Sequence, residues 1–392
     1  MKQIYFDHSA TTPLDPRVIE AMLPCYEVNF GNPSSLHSAG QQAKQAVDEG
    51  RRQVAELFRA NPDEIVFTAS GTESDNMALA GVASLYKAQD CHIITSSFEH
   101  PAILETCKYL ERLGYAISYL PVSPEGIVDP ETLTSALRPN TRLVSVMAAN
   151  NVVGTLQPIA ELAKITKTHG ALFHTDAVQA VGKIPLQMDA MPVDLLSLSA
   201  HKLHGPKGIG ALYIRKGLII EPLIHGGGQE RGIRSATENV AAIAGLGKAA
   251  EIARLEMRDE APRLVKLRDR LIEEIQTQIP NAYLIGHRYK RLPGHICLGF
   301  AGQEGEAIHL MLSLNEAGIA ISTGSACSSH HAGQPSYILM AMGMDPIRAR
   351  GSLRITLGRF NTEAEVDEFL DVLPRLVGEM RPVTSRSFAT VP

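Results

Sequence analysis

A lysine directly follows an apolar run that has the composition of a buried β-strand. The run covers residues 193–200 and is followed by His201 and Lys202. In open α/β sheets the carboxyl ends of strands face the ligand crevice. A lysine amine is a nucleophile only when neutral, and its ordinary pKa of about 10.4 leaves a neutral fraction of about 10⁻³ at pH 7. Burial and flanking histidines would lower that pKa, although a surface lysine is the commoner case for one such residue alone.

An aspartate ends another apolar run, and it stands 26 positions before the lysine. Asp176 closes the run at residues 171–176, where a hydrogen-bonded turn residue would be the usual interpretation. Beside a lysine Schiff base an aspartate has a specific use, because it keeps a pyridine nitrogen protonated and lets the ring withdraw electrons from a carbanion. Lys202 and Asp176 at neighbouring strand ends therefore indicate a pyridoxal 5′-phosphate site.

Two further strand ends carry polar groups. Ser70, Gly71 and Thr72 open a helix, and Thr72 is the expected N-cap because Asp75 follows three residues later. Free amides and the helix dipole suit a phosphate there, although a capped helix that binds nothing is equally compatible. His100 could stack on a pyridine ring and move protons near neutral pH, although a single loop histidine is usually structural.

Cys327 lies in a stretch of small residues, 322–333, whose composition predicts a mobile loop. Five extended residues span at most about 17 Å, which would let the sulfur move between a buried ring and a partner at the surface. An ordinary thiol is only a few per cent thiolate at pH 7, so it needs a cation or a histidine beside it. We expect His330 and His331 to raise the thiolate fraction or to engage a sulfur acceptor.

Arg354 belongs to a strand-like run at residues 352–356. Its guanidinium fork could bind a substrate carboxylate. Taken alone, a solvent-facing arginine on an edge strand would be the preferred interpretation, and only the other candidate residues favour the binding role.

Short β-rich runs that alternate with helical patterns must position these side chains. The pattern predicts a mostly parallel α/β sheet of the seven-stranded type, flanked by helices. A long, charged helical stretch follows at about residues 235–280, and we place a domain boundary near residue 259. A large cofactor-binding domain would cover residues 15–258. A smaller α+β domain, with the cysteine loop, would combine residues 1–14 and 259–392.

Composition excludes several classes of protein. The 392 residues are 44% hydrophobic and 20% charged with a formal net charge of −5, which leaves no basic footprint for nucleic acid or an anionic membrane. The five cysteines form neither a CxxC pair nor a zinc spacing, so we expect reduced thiols, no metal and no disulfide framework. Asp7 and His8 interrupt any signal peptide, and no run of about 18 apolar residues follows. We therefore expect a cytoplasmic protein.

Taken together, these segments resemble the cysteine desulfurases of the NifS/IscS-like kind, a branch of the class V aminotransferases with the type I pyridoxal-phosphate fold. The resemblance extends over nearly the whole chain. The segments that carry it are residues 7–13 (DHSATTP), 30–35 (FGNPSS), 70–76 (SGTESDN) and 351–354 (GSLR).

The resemblance implies a role for each residue at the cofactor ring. Lys202 would carry pyridoxal 5′-phosphate, Asp176 would contact the pyridine nitrogen, Gln179 the ring hydroxyl, and His100 would stack on the ring. The ligands that it implies for the phosphate are Thr72, Ser199, His201 and, from the other subunit of a homodimer, Thr237.

The resemblance also implies the reaction. Asn151 and Arg354 would hold the carboxylate of L-cysteine, and Cys327 would take its sulfur as a persulfide and leave L-alanine. The sulfur would pass to an acceptor, such as an iron–sulfur scaffold protein. Two other functions stay open at this point: a related pyridoxal-phosphate lyase or aminotransferase acting on selenocysteine or cystine, and a non-catalytic binding or scaffold protein that retains the fold.

Overall fold

The computed structural model describes residues 3–324 and 334–380 of the chain. The helices within these ranges are α1 (Pro16–Glu27), α2 (Ser38–Phe58), α3 (Gly71–Ala83), α4 (Pro101–Arg112), α5 (Pro130–Ala136), α6 (Ile159–His169), α7 (Val240–Gln278), α8 (Ala307–Glu316), α9 (Tyr337–Ala341) and α10 (Glu363–Glu379). The strands are β1 (Ile4–Tyr5), β2 (Ile65–Thr68), β3 (His92–Ser96), β4 (Ala116–Leu120), β5 (Thr141–Ser145), β6 (Leu172–Asp176), β7 (Leu195–Ser199), β8 (Gly210–Ile214), β9 (Ala282–Leu284), β10 (His295–Phe300), β11 (Ile319–Ala320), β12 (Ser322–Thr323) and β13 (Ser352–Thr356).

The predicted α/β fold is confirmed by a seven-stranded sheet with the order β2-β8-β7-β6-β5-β3-β4. Strand β8 runs antiparallel to both of its neighbours, and all the other pairs are parallel. Strands β2, β3, β7 and β8 are buried along their whole length, as expected for strands that helices cover on both faces. The parallel strands all end at one edge of the sheet.

A second group of strands follows the long helix α7. Strands β12, β13, β10 and β9 form an antiparallel four-stranded sheet, and β1 pairs in parallel with β11. Ile4 and Phe6 belong to the hydrophobic core of this region, together with residues of α7, α8 and α10. The predicted boundary near residue 259 falls inside α7, which continues through it, and the division into domains stays a prediction.

Helix boundaries follow from local chemistry at several positions. Asp15 caps α1, and its carboxylate accepts a hydrogen bond from the backbone N–H of Arg17 at 3.0 Å. Thr362 and Glu365 form a reciprocal capping box at the start of α10. No helix within residues 3–324 and 334–380 combines the length and the apolar composition that crossing a membrane requires.

Replacement of Phe369 by alanine tests the core of the region after α7. Its buried ring meets the ring of Phe6 edge to face, with 5.7 Å between the centroids. Phe369→Ala should lower the free energy of unfolding by about 3–5 kcal/mol, because such a large cavity collapses only in part. Urea unfolding followed by circular dichroism measures the change, with Phe360→Ala as the control because Phe360 is 46% exposed. An equal loss in both variants would contradict the assignment of Phe369 to this core.

Candidate active site

One cavity of about 430 Å³ lies at the carboxyl ends of the parallel strands. Ten of the twelve residues predicted from the sequence line it, namely Gly71, Thr72, His100, Asn151, Asp176, Gln179, Ser199, His201, Lys202 and Arg354. The volume lies in the range of about 300–1,000 Å³ that is typical of small-molecule sites. Thr237 is exposed and does not line this cavity. Cys327, His330 and His331 lie outside the described residues.

The short 3₁₀ turn Ala200–Lys202 directly follows β7 and places the candidate lysine at the cavity. The Nζ atom of Lys202 donates hydrogen bonds to the backbone carbonyls of Ser9 at 2.6 Å and Ala10 at 2.7 Å. The N-terminal segment therefore holds the amine at the wall of the cavity. An amine in this position can reach a carbonyl carbon of a bound ligand.

Asp176 ends β6 and is buried, 5% exposed, at the same edge. Its Oδ1 atom accepts a hydrogen bond from the backbone N–H of Val178 at 2.9 Å. Burial raises the pKa of Asp176, whereas the nearby His100 and Lys202 lower it. A cationic group within the cavity would favour the carboxylate form further.

The start of α3 corrects one detail of the sequence prediction. The N-cap is Ser70, not Thr72, and the Oγ of Ser70 accepts a hydrogen bond from the backbone N–H of Glu73 at 3.1 Å. Thr72 is helical and its side chain is available to the cavity that it lines. A Cβ atom on Gly71 would come within 2.6 Å of Val178, so glycine allows the close approach of this helix terminus. The amides of the first turn then suit an anion.

His100 is the N-cap of α4, and its ring geometry defines where its proton lies. The Nδ1 atom accepts a hydrogen bond from the backbone N–H of Ala102 at 3.1 Å, so the neutral ring carries its hydrogen on Nε2. Burial lowers the pKa of His100, Asp176 raises it, and Lys202 lowers it. A neutral imidazole with Nε2–H can donate a hydrogen bond to a ligand in the cavity.

Ser199 and His201 both shortly precede Lys202 in sequence, and they also line the cavity. The Nδ1 atom of His201 is 3.0 Å from the Oγ1 of Thr11. Burial, with the charges of Lys202, Lys207 and Lys183, lowers the pKa of His201 to about 4, so its ring is neutral near pH 7. A neutral imidazole and a serine hydroxyl can both donate hydrogen bonds to a phosphate.

Arg354 is not on an edge strand, since β13 lies between β12 and β10, and it is 1% exposed. One Nη donates to the backbone carbonyl of Asn151 at 3.1 Å, and the other forms an ion pair with Asp7 at 2.8 Å. The guanidinium group is thus held by the N-terminal segment and by the loop that carries Asn151. Asn151 and Arg354 both line the cavity, where the planar guanidinium group of Arg354 can bind a carboxylate.

Eight further residues that were not assigned roles from the sequence also line this cavity, and Asp7, Ser9 and Asp75 are among them. Asp7 and Ser9 belong to the segment at residues 7–13 that supported the family resemblance, which was the available signal. Asp75 is 1% exposed, and burial together with Asp176 raises its pKa well above the ordinary value. Its position three residues after Thr72 suggested a capping role and concealed its contact with the cavity.

Comparison with known proteins identifies the family. The family model "Aminotransferase class-V" matches residues 4–369, and the chain belongs to this family. A cysteine desulfurase IscS of Dictyoglomus turgidum is 51% identical over 98% of this chain and 96% of its own length. A second IscS, of Methanosarcina thermophila, is 48% identical over 100% of this chain and 96% of its own length. A solved NifS-like protein superposes with a TM-score of 0.90 and 41% identity, covering 96% of this chain and 100% of that one.

The cofactor of class V aminotransferases is pyridoxal 5′-phosphate, and the cavity fits it. The helix terminus at Gly71 and Thr72 provides an anion site. Asp176 provides a carboxylate and Lys202 provides an amine, and all of these residues line the same cavity. These are the three chemical groups that a phosphorylated pyridine aldehyde requires.

Glu99 offers a test of the electrostatics beneath this site. Both carboxyl oxygens accept from the backbone N–H of Met147 at 3.1 Å, Ser96 donates to one of them, and burial raises the pKa of Glu99 to about 8. Because the pKa of Glu99 is raised in the folded state, the folded protein holds this proton more tightly than the unfolded chain does. The contribution of Glu99 to stability is therefore fully present below about pH 4.5 and is lost as the pH rises to about 8. Glu99→Gln should therefore gain a few degrees in Tm relative to the wild type between pH 6 and pH 9.

Differential scanning calorimetry at both pH values measures this gain. Glu105→Gln is the matched control, because Glu105 is exposed on α4 and pairs with Lys108. Parallel pH dependence of wild type and Glu99→Gln would contradict a protonated Glu99 in the folded protein.

Proposed function

We propose that this protein is a pyridoxal-phosphate-dependent cysteine desulfurase that converts L-cysteine to L-alanine and takes the sulfur as a persulfide on Cys327. The observation that carries the proposal is the convergence of ten predicted residues on one cavity. The names of the relatives, cysteine desulfurase IscS, support the same activity.

Each part of the cofactor has residues of this chain to hold it. Thr72, Ser199 and His201, with the amide of Gly71, would bind the phosphate. Asp176 would bind the pyridine nitrogen, Gln179 the ring hydroxyl, and His100 the face of the ring. Pyridoxal phosphate supplies an aldehyde carbon to which amino groups add and a protonated ring that withdraws electrons from Cα.

Lys202 has two duties in this scheme. Its amine would hold the cofactor in the absence of substrate, and with substrate present the same amine would be the base that removes the Cα proton. The carbonyls of Ser9 and Ala10, at 2.6 and 2.7 Å, keep the displaced amine at the cavity. The ring of His100 lines the cavity, where it would donate a hydrogen bond through Nε2 when neutral and a proton when it is an imidazolium.

Substrate is oriented by its carboxylate. Arg354 offers a guanidinium fork within the cavity, and Asn151 supplies a side-chain amide beside it. Ser322, which precedes Cys327 by five positions in the chain, lines the same cavity.

The sulfur transfer balances without an oxidant. The thiolate of Cys327 attacks the sulfur of bound L-cysteine, an S–S bond forms, and the C–S bond breaks. The electron pair of that bond stays with the carbon fragment, which takes up a proton to become L-alanine. The enzyme retains one extra sulfur as a persulfide, which a protein acceptor such as an iron–sulfur scaffold then removes.

Variants of Cys327 separate this function from the lyase and aminotransferase alternatives. Cys327→Ala should lose alanine formation from L-cysteine by at least about 100-fold, because no thiolate remains to take the sulfur. Cys25→Ala is the matched control, since Cys25 is a buried thiol of α1. Alanine is quantified by chromatography, and mass spectrometry of the wild type should detect one additional sulfur on the Cys327 peptide.

Unchanged alanine release by Cys327→Ala would support a selenocysteine or cystine lyase or an aminotransferase instead. A colourless protein with no borohydride-trapped cofactor on Lys202 would support the non-catalytic alternative.

The proposal includes a homodimer in the cytoplasm, with Thr237 of each subunit at the phosphate of the other. Support comes from a group of exposed apolar side chains on and after α1: Ile19, Leu23, Tyr26, Val28, Phe30 and Leu36. Contiguous exposed apolar surface marks protein interfaces more often than free surface. Buried, unpaired Cys91, Cys107 and Cys297 are consistent with a reducing compartment.

The double substitution Tyr26→Glu/Phe30→Glu should shift the protein from dimer to monomer, because it places charges on side chains that are 64% and 70% exposed in one subunit. Sedimentation equilibrium at micromolar concentration measures the mass. Tyr289→Glu is the control, because Tyr289 is 80% exposed after α7 and away from this group. A monomeric wild type, or a dimer that survives the double substitution, would contradict the proposed interface.

A further inference from the structure

A second, much smaller cavity adjoins the candidate active site. It has a volume of about 40 Å³, enough for a small number of water molecules. Ser9 and Lys202 line both cavities, so they form part of the wall between them. Lys183 lines only the small cavity, and the reaction described above gives it no task.

Lys183 reaches the active site through Gln179. Its Nζ atom donates a hydrogen bond to the Oε1 atom of Gln179 at 3.2 Å. The Nε2 atom of Gln179 donates to the backbone carbonyl of Ser9 at 2.9 Å. An amide nitrogen carries two hydrogens, so a second N–H can be directed into the large cavity that Gln179 lines.

The amide oxygen of Gln179 has two neighbouring donors, the amine of Lys183 at 3.2 Å and the hydroxyl of Ser9 at 3.3 Å. The Nε2 atom of His295 is 2.8 Å from the carbonyl of Val152, which only accepts, so Nε2 carries the hydrogen. Burial lowers the pKa of His295 well below its ordinary value, and its Nδ1 is therefore an acceptor, 3.2 Å from the hydroxyl of Ser9. The hydroxyl of Ser9 has one hydrogen, for which His295 Nδ1 and Gln179 Oε1, 3.3 Å away, are both acceptors, so Lys183 is the donor to Oε1 that does not divide its hydrogen in this way.

We propose that Lys183 is a positioning residue for the cofactor: its ammonium group holds the amide oxygen of Gln179 and thereby directs an amide N–H of Gln179 at the ring oxygen of pyridoxal phosphate. The inference rests on the proposed function, because it needs that cofactor in the large cavity. An ammonium group only donates hydrogen bonds, so it fixes which end of the amide faces the ligand.

The surroundings of Lys183 act on its charge in both directions. Burial and the cations Lys202 and Arg354 lower the pKa of Lys183 to about 7, whereas Glu260 raises it. An anionic ring oxygen beyond Gln179 would favour the ammonium form. The other ionisable groups facing the small cavity are His8, His204, His295, Glu260, Arg359 and Lys202.

Those neighbours do not replace the lysine charge. Burial lowers the pKa of His8 to about 3 and that of His204 to about 4, so both rings are neutral near pH 7. Arg359 is paired with Asp15 and Glu260, each at 3.0 Å. Lys183 is thus the ammonium that contacts Gln179 among the described residues facing this cavity.

The test follows the visible absorption of the purified holoenzyme as a function of pH, together with the dissociation constant for pyridoxal phosphate from equilibrium dialysis. The amide N–H donated by Gln179 and the nearby ammonium group of Lys183 both favour the deprotonated form of the bound cofactor over its protonated form. Lys183→Met should therefore raise the pH midpoint of the spectral change by about one unit, a tenfold change in proton affinity, and raise the dissociation constant about tenfold.

Three further variants make the test specific. Lys183→Arg retains the donor and should restore the wild-type midpoint. Gln179→Leu should shift the midpoint as Lys183→Met does, and the double variant should shift it no further, because both changes remove one interaction. Lys248→Met is the matched control, since Lys248 pairs with Glu251 on α7 and lines neither cavity.

The outcomes distinguish the two proposals. A wild type without a visible band overturns the proposed function. A normal wild-type band with an unshifted Lys183→Met, or with additive shifts in the double variant, overturns the positioning role alone. If Lys183→Met does not fold, Lys183→Gln and Lys183→Arg provide the same comparison, and equal midpoints for these two would overturn the role.

Discussion

The candidate active site depends on one constraint, the common direction of six strands in the seven-stranded sheet. Parallel strands all have their carboxyl ends at the same edge of the sheet. In open α/β sheets, ligands bind in the crevice outside these carboxyl ends. Asp176 ends β6, the turn with Lys202 follows β7, and His100 follows β3. Residues that are far apart in sequence therefore lie close together, because the common direction of the strands places them all at one edge of the sheet.

Burial then decides which of these groups carry charge. His174 and His201 lie close to the cavity, and burial lowers their pKa values to about 3 and about 4, so they act as neutral hydrogen-bonding groups. Burial raises the pKa of Glu99 to about 8, which makes it a carboxylic acid at neutral pH. The region beneath the cavity is thus largely uncharged. Opposite charges at Lys202 and Asp176 interact more strongly in such surroundings than they would in water.

Sequence patterns predicted most of this arrangement because apolar runs and their polar ends are local features. The strands before Asp176 and Lys202, the helix after His100 and the burial of a sheet all follow from periodicity. The N-cap of α3 could not be predicted with certainty, because Ser70 and Thr72 are both good caps and the backbone geometry selects between them. The role of Lys183 was also hidden, since it depends on Gln179 and Ser9, and Ser9 is 170 positions from Gln179.

The N-terminal segment connects the parts of the site that the sheet alone does not position. Asp7 pairs with Arg354, the carbonyls of Ser9 and Ala10 hold Lys202, and Ser9 also contacts Gln179. A substrate carboxylate bound at Arg354, as proposed above, would compete with Asp7 for the same cation. The segment that contains Asp7 also holds the amine of Lys202, so the proposed function connects carboxylate binding to the contacts of that amine through one short stretch of backbone. Residues 7–13 make these contacts although they lie outside the named helices and strands, between β1 and α1.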